Sequence, residues 1–503
     1  MVRVMPAPVI VGIGQVANKD PERLVHPVDL LEDATRLAVD DAGADVLPHV
    51  GMVLSSPLSV FTEEHGGAMV AERLGLRPGP RVQASYSGAG PQRLLAQACR
   101  AIADGELDAA LLVGGIADSS VRNARRQGRT PLAPPTSIWS QGSDGTGDET
   151  LTREWKRPFM AEGAAGAQLP SSIFALIESA LAAHAGHDPE THRRALGELL
   201  APFTAVAATR PDLAWFPTER TPAEISGVRP DNRFVAEPYT KLMCSFPTID
   251  LAAAVLVTSV ELADRLGVAA ERRVHPWAVT CASEAGPPST WQDMHHAAAL
   301  TAAARRALDN ASVTPDELVG FDLYSCFPAA VQLAVAAFGL GPTDPRPLTQ
   351  TGGLPYFGGP GASYSLHGVA CMVERVRAEA GSVGAVVGVG GTCHDFAVGL
   401  YSTDEPRRPG TYEEATDITE SLAEVATPIA QHAEGEATVD AMTVLHERDG
   451  GPVAAPIVAR LPDGTRVGAR AADPELPAAL SGTSLVGRQV RLEDRGDHVR
   501  YTP

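Results

Sequence analysis

Short apolar runs alternate with segments of helical periodicity in the first part of the chain. Residues 8–14 (PVIVGIG) are apolar and end at glycine, which predicts a buried strand. Residues 28–42 and 91–103 carry apolar side chains at helical spacing, and residues 108–115 (DAALLVGG) predict another buried strand. Strands that alternate with helices in this way favour an α/β fold with parallel strand pairing.

The same order of elements returns late in the chain. A glycine loop at residues 358–361 precedes a predicted helix at residues 365–378 and an apolar strand at residues 381–391 that ends in two glycines. Residues 87–115 show the same loop, helix and strand. We interpret this as an internal duplication of two α/β halves, although two independent units of this kind would look alike.

Two regions break the pattern. Residues 118–232 contain proline-rich and glycine-rich stretches and are too long for a plain loop, so we interpret them as a cap inserted over the site. Residues 438–503 alternate apolar and polar positions between tight turns, which predicts about five strands in a small OB-like barrel. The predicted boundaries are 1–117 and 233–265 for the first half, 118–232 for the cap, 266–405 for the second half, 406–437 for a linker and 438–503 for the barrel-like domain.

Composition and charge narrow the class of partner. The chain has 503 residues, 44% of them hydrophobic and 20% charged, which is typical of a globular protein. Its formal net charge of −20 argues against a nucleic-acid partner, because a phosphate-tracking surface needs a basic excess. No apolar stretch reaches the roughly 18 residues that a membrane span requires.

The six cysteines are scattered singly along the chain. They form neither a disulfide framework nor a CxxC pair, so we expect no structural zinc site and no bound metal. The first residues lack the cleavage region of a signal peptide. A reducing cytoplasm is therefore the expected location.

Several motifs resemble those of the thiolase superfamily, over roughly residues 8–402. Residues 352–361 (GGLPYFGGPG) are similar to the glycine-rich loop of thiolases, and residues 105–115 resemble the strand that follows their nucleophile helix. Residues 324–327 (YSCF) occupy the place of the His-Asp-Cys-Phe motif. Residues 232–243 resemble the thiolase-like branch close to sterol-carrier-type thiolases, and the C-terminal region looks like an extra domain found in one such subgroup.

The resemblance implies a duplicated five-layer αβαβα core that holds an acyl-CoA-type thioester as substrate or ligand, with no other cofactor. It implies an acetyl-CoA acetyltransferase-like activity in lipid metabolism, with altered catalytic residues. The alternative is a non-catalytic acyl-CoA or lipid carrier or scaffold. A monomer and a homodimer are both compatible with the sequence, because a fused C-terminal domain could block the sheet contact through which classical thiolases pair.

The position of the thiolase nucleophile falls on Tyr86, with Ser87 beside it. Neither side chain is a cysteine, and a phenol or a hydroxyl is a poor nucleophile unless a base activates it. These residues are therefore catalytic candidates by position. The alternative is that Ser87 only caps the following helix.

Two imidazoles of the family are missing. The histidine of the thiolase Gly-His-Pro motif falls on Gly359, and that of the His-Asp-Cys-Phe motif falls on Tyr324. We expect backbone amides of residues 358–361 to supply a weaker oxyanion hole, because such donors do not depend on side chains. The substrate-binding candidates of this region are Tyr324, Gly353, Gly358, Gly359 and Gly361.

Cys326 stands where sterol-carrier-type thiolases carry their acid/base cysteine, and it is a catalytic candidate; the alternative is a buried small hydrophobe. His394 follows Cys393 directly, and neighbours on a strand point to opposite faces, so at most one faces the pocket unless the loop bends. We favour His394 over His367 as a site residue.

Arginines cluster at the start of the predicted cap. Arg122 and Arg126 are candidates for binding CoA phosphates, because a guanidinium matches phosphate geometry. They could equally form a solvated helix face.

Overall fold

The computed structural model describes residues 6–58, 65–77, 79, 81–84, 86–129, 148–151, 160–341 and 344–503. Parts of the predicted cap, residues 130–147 and 152–159, lie outside this description. Within the described part, no helix combines the length and the apolar character that a membrane span needs.

The first sheet has six strands in the order β1, β8, β4, β2, β3, β5. Its central strand β4 is buried at every position, as its continuous apolar sequence predicts. The strands of this sheet are β1 (Pro8–Ala17), β2 (Val50–Ser55), β3 (Arg81–Ala84), β4 (Ala109–Ala117), β5 (Asp148–Leu151) and β8 (Asp250–Ser259).

The second sheet has five strands in the order β10, β11, β12, β9, β13. Its strands are β9 (His275–Ser283), β10 (Leu318–Leu323), β11 (Val383–Gly390), β12 (Asp395–Ser402) and β13 (Thr411–Glu414). Strand β13 falls within the stretch that the sequence assigned to a linker.

The two sheets share one topology. The run β2, β4, β8, β1 pairs first in parallel and then twice antiparallel. The run β10, β11, β12, β9 repeats that order and those directions, with its members in the same chain order. The predicted duplication of the α/β core is therefore confirmed.

The layers follow from which helices contact which sheets. Helices α3 (Gly90–Ala103) and α12 (Tyr364–Ala378) contact each other and strands of both sheets, so they form the middle layer. Helix α1 (Pro27–Ala42) covers the outer face of the first sheet, and α10 (Ala298–Ala311) covers that of the second. The result is the expected αβαβα sandwich. The remaining helices are α2 (Gly66–Arg73), α4 (Asp118–Arg126), α5 (Ala161–Ala165), α6 (Pro170–His184), α7 (Pro189–Ala208), α8 (Pro222–Ser226), α9 (Val260–Leu266), α11 (Pro328–Ala337), α13 (Thr416–Glu424) and α14 (Leu476–Leu480).

The C-terminal region folds as a barrel. Its strands follow the order β14, β19, β18, β15, β20, β21, and an additional pairing between β19 and β21 closes the sheet. Because closure removes exposed strand edges, short strands can form a stable barrel, as the predicted OB-like domain requires. The strands are β14 (Ile429–Ala430), β15 (Gly435–Met442), β18 (Ile457–Arg460), β19 (Arg466–Ala471), β20 (Gln489–Asp494) and β21 (Val499–Thr502).

A small antiparallel sheet links the barrel to the α/β core. Strands β6 (Phe234–Ala236) and β7 (Tyr239–Thr240) pair with β16 (Leu445–His446) and β17 (Pro452–Ala454) in the order β17, β16, β6, β7. Residues 234–240, which the sequence assigned to the first α/β half, therefore belong to the junction. The partly buried Glu237 carboxylate reinforces it by accepting hydrogen bonds from His446 Nε2 at 2.7 Å and Gly482 N at 2.8 Å.

The barrel is also docked by one buried arginine and one glycine. Arg466 is 4% exposed and donates to the carbonyl oxygens of Ser289 at 3.0 Å and Gln292 at 2.9 Å. A Cβ at Gly468 would stand 1.8 Å from the carbonyl oxygen of Ala161, so β19 can pack on α5 only with glycine there.

Candidate functional site

Three separated stretches of the chain meet around one pocket of about 590 Å³. They are the turn at residues 86–88, the segment at residues 324–327 after β10, and the glycine loop at residues 352–361. The turn leads into α3 and the loop leads into α12, so the pocket lies at the N-terminal ends of both middle-layer helices. Helix N-termini carry a partial positive charge that favours anionic groups.

Close backbone approaches define the mouth of this main pocket. A Cβ at Gly88 would stand 2.3 Å from the carbonyl oxygen of Val389 and 2.5 Å from Tyr324 Oη, so the turn tolerates only glycine. A Cβ at Gly361 would stand 3.1 Å from Tyr86 Oη, which places the phenol beside the glycine loop. Tyr86 is 59% exposed and lines the opening.

Ser87 lies at the floor of the main pocket within a buried polar network. Its hydroxyl donates to Asp395 Oδ2 at 2.5 Å and accepts from Ala89 N at 3.2 Å. Arg93 pairs with the same carboxylate and with Glu414, while Ser283 Oγ donates to Asp395 Oδ1 at 3.0 Å. Sequence reasoning missed Asp395 and Arg93, because nothing in the local pattern joins residues so far apart.

The Tyr324–Cys326 segment is tied to its neighbours by backbone contacts. Ser325 Oγ accepts from Leu354 N at 3.1 Å, and the carbonyl oxygen of Cys326 accepts from Ser245 N at 2.9 Å. Both Tyr324 and Cys326 line the main pocket. Burial raises the pKa of the Cys326 thiol above its ordinary value, so the thiol is neutral near pH 7.

Two backbone amides of the glycine loop already have acceptors. The amide of Gly359 already donates to the carbonyl oxygen of Phe246 at 2.9 Å, and that of Gly361 donates to Gly359 O at 2.8 Å. Pro360 between them has no N–H. The amide of Gly359 therefore pairs with another segment and that of Gly361 pairs within its own turn, and the oxyanion hole expected from residues 358–361 stays a prediction.

Gly353 and Gly358 allow the backbone conformation of the glycine loop. Their φ angles of +83° and +121° lie where side chains are strained, and a Cβ at either would stand 2.7 Å from a buried side-chain carbon. Gly359 and Gly361 line the main pocket, whereas Gly353 and Gly358 are not among its lining residues.

The segment between β11 and β12 bends sharply. Cys393 is buried with φ of +66°, and His394 Nδ1 accepts from Thr392 N at 3.0 Å. The His394 ring folds over Gly391, where a Cβ would stand 2.2 Å from its Cε1. Gly391 lines the main pocket, whereas His394 is not among its lining residues. His367 is fully buried in α12 and is also absent from the lining.

Arg122 and Arg126 lie on exposed positions of α4 and do not line the main pocket. Helix α4 begins at Asp118. Partial burial raises the pKa of Tyr86, and the negative charge of the Asp118 carboxylate raises this pKa further. The start of α4 is therefore close to the pocket mouth, with the two arginines one and two turns further along.

Residues from the predicted cap and from the segment that follows it complete the main pocket. Leu169, Phe174 and Val235 line it, together with the thiol-bearing Cys244. Sequence reasoning did not single out these residues, because their periodicity is that of any helix or strand. Their contribution makes the lining predominantly apolar.

The chemistry available in the main pocket is limited. Burial raises the pKa of Cys244 to about 12, and burial also raises that of Tyr324 well above its usual range. Across the described residues, no imidazole lines the pocket, and no three His, Cys, Asp or Glu side chains gather as a metal site would require. The lining thus offers neutral donors and apolar surface rather than an activated thiolate.

Comparisons with known proteins agree with this geometry. Residues 417–497 match a family described as the thiolase-like protein type 1 additional C-terminal domain. The curated acetyl-CoA acetyltransferase of Methanothermobacter thermautotrophicus is 24% identical over 398 residues, which cover 74% of this chain and 94% of that protein.

Solved structures extend the likeness to the whole chain. A monomeric SCP2-thiolase-like protein type 1 from Mycobacterium smegmatis superposes with a TM-score of 0.83 at 29% identity, covering 99% of both chains. The acetyl-CoA acetyltransferase of Syntrophomonas wolfei superposes with a TM-score of 0.58 at 15% identity over 80% of this chain and 100% of that one, which shows the shared fold. As the sequence motifs predicted, the chain belongs to the thiolase superfamily and carries an additional C-terminal domain.

Proposed function

We propose that this chain binds an acyl-CoA-type thioester in the main pocket without forming a covalent acyl-enzyme. The observation that carries the proposal is the convergence of the Tyr86 turn and the glycine loop on one cavity of about 590 Å³. A cavity of this size falls within the range of small-molecule sites.

The lining suits an acyl chain. Leu169, Phe174, Val235, Phe327 and Leu354 present apolar surface, against which an acyl group would be removed from water. The exposed side at Tyr86 leaves room for the remainder of the ligand to reach solvent.

Two observations favour binding over covalent turnover. The thiols of Cys244 and Cys326 have raised pKa values because burial disfavours the thiolate, and no imidazole of the described residues lines the pocket to act as a base. Ser87 Oγ donates a hydrogen bond to Asp395, but that carboxylate already pairs with Arg93. An arginine-paired carboxylate is a weak proton acceptor.

Calorimetric titration with acetyl-CoA and octanoyl-CoA tests the proposal. Substituting Val235→Trp fills the main pocket and should weaken binding by about tenfold or more, which corresponds to about 1.4 kcal/mol. Val453→Trp adds the same bulk at a position that is 51% exposed in the small junction sheet and should change nothing. Absence of binding by the unaltered chain, or equal binding by both variants, would rule the proposal out.

Acyl transfer is the second candidate, because Ser87 and Cys326 both line the main pocket. In that reaction Ser87 Oγ would attack the thioester carbonyl carbon, Asp395 would take the hydroxyl proton, and CoA would leave as a thiolate. Cys326 would then be the proton donor to the departing sulfur. The expected signs are release of free CoA thiol and a mass gain equal to the acyl group, both lost in Ser87→Ala.

A further inference from the structure

A second, smaller cavity lies along the C-terminal half of α6, at the junction with the C-terminal domain. Its volume is about 180 Å³, and its walls come from α6, α7, β6 and the C-terminal segments around Met442 and Thr483. It shares no lining residue with the main pocket among the described residues. We refer to it as the junction cavity.

The buried carboxylates of the junction cavity are already satisfied. Glu178 is fully buried and is held by His192 Nε2 at 2.6 Å and Tyr239 Oη at 2.8 Å. Glu237 is held by His446 and by the backbone of Gly482. Both carboxylates direct their hydrogen bonds to these partners, and neither forms an ion pair with Arg193.

Arg193 in the same wall has no such partner. Its guanidinium lies over the Phe234 ring, 5.4 Å from the ring centroid. Its Nε is buried without an acceptor, and no ion pair or side-chain hydrogen bond of Arg193 occurs among the residues that the structure describes. A partly buried guanidinium without an anion is unfavourable, because desolvation is not offset by pairing.

We propose that the junction cavity binds a small carboxylate with an apolar body about the size of one ring. The planar guanidinium of Arg193 would hold the carboxylate through two parallel hydrogen bonds, a geometry that arginine favours. The apolar body would lie against Phe234, Met442 and Val444, which line the same cavity. A cavity of roughly 150 Å³ accommodates benzene, so the volume matches one ring.

This site is independent of the proposed thioester function. Its walls come from both the α/β core and the C-terminal domain, so a bound carboxylate would contact both parts of the chain. A ligand that binds only the docked arrangement stabilises that arrangement by mass action.

Benzoate is the probe and calorimetry of the full chain is the measurement. Benzoate should bind, whereas the neutral analogue benzamide should bind at least about tenfold more weakly, because it lacks the charge that Arg193 requires. Arg193→Gln should weaken benzoate binding by about the same factor. Arg305→Gln is the control, because Arg305 is exposed on α10 and does not line the junction cavity.

Three outcomes would overturn the proposal. The first is no benzoate binding up to about 10 mM, which corresponds to a binding free energy weaker than about 3 kcal/mol. The others are benzamide binding as tightly as benzoate, and Arg193→Gln binding benzoate as tightly as the unaltered chain. Circular dichroism of each variant separates loss of the site from loss of the fold. Arg193→Lys keeps the charge without the planar fork and should bind with intermediate affinity. Saturating acetyl-CoA should leave benzoate binding unchanged, which separates this cavity from the main pocket.

Discussion

At the scale of single residues, Ser87 shows how the neighbouring charged side chains affect the reactivity of a hydroxyl. Its position beside the family's nucleophile made it a catalytic candidate, but its hydroxyl donates to a carboxylate that an arginine already pairs. The sequence indicates the position of Ser87 through a motif. It does not indicate Asp395 or Arg93, because their contacts depend on how two sheets and a helix pack.

Gly468 provides a prediction at this scale. Gly468→Ala should lower the free energy of unfolding by about 1–3 kcal/mol, because its Cβ would collide with the backbone of α5. Gly163→Ala in α5 is the control, since its Cβ would meet only Met160 Cβ at 3.8 Å. Denaturant titration measures both, and a Gly468→Ala chain as stable as the control would contradict the packing of β19 on α5.

His367 predicts a pH dependence of stability. Burial lowers its pKa from 6.5 to about 3, so protonation favours the unfolded chain. The contribution of neutral His367 to the free energy of unfolding is complete above pH 6.5 and falls as the pH drops. The loss is about 2 kcal/mol between pH 7 and pH 5.

Urea titrations at pH 7 and pH 5 measure that loss. His367→Gln should lose about 2 kcal/mol less stability over this range than the unaltered chain. His49→Gln, at an exposed position, should follow the unaltered chain. If His367→Gln and His49→Gln lost the same free energy of unfolding between pH 7 and pH 5, the assignment of this loss to His367 would be contradicted.

At the scale of secondary-structure elements, the strands and helices of the core could be predicted from apolar runs and periodicity. Strand β4 and helix α3 fall where the pattern placed them, within a few residues. Strand β6 could not be predicted, because a segment of three residues carries no periodicity, and the alternation within residues 438–503 does not indicate that β16 pairs with β6. Their pairing is set by docking of the C-terminal domain.

Helix α4 carries a prediction that rests on the proposed function. The double substitution Arg122→Ala and Arg126→Ala should weaken acetyl-CoA binding by about tenfold through loss of phosphate contacts. Binding of S-acetyl-pantetheine, which lacks the nucleotide phosphates, should be unchanged. Arg305→Ala on α10, also an exposed arginine, is the control in the same calorimetric series. Equal loss for both ligands would show that the arginines support the fold instead.

At the scale of the whole molecule, the duplication was predictable because each half repeats a loop, a helix and an apolar strand. The convergence of residues 86–88 and 352–361 on one pocket follows from that symmetry, since both segments precede middle-layer helices. The junction with the barrel was not predictable, because it depends on single contacts such as Arg466 with the Ser289 carbonyl.

The edge of the first sheet predicts the oligomeric state. Strand β5 pairs with β3 and leaves a four-residue strand at this edge, which is too short for stable pairing with a second copy. We expect a monomer of 52.5 kDa. Light scattering after size-exclusion chromatography, over a range of protein concentrations, measures the mass, and a stable species of twice this mass would contradict the expectation.

The small junction sheet also constrains the order of events during synthesis. Glu237 and His446 are separated by 209 positions in the chain. Strand β6 therefore emerges from the ribosome long before its partner β16 exists, and its free edge stays available to other chains during that interval. Nascent chains truncated before residue 445 should accordingly be the ones that require a chaperone.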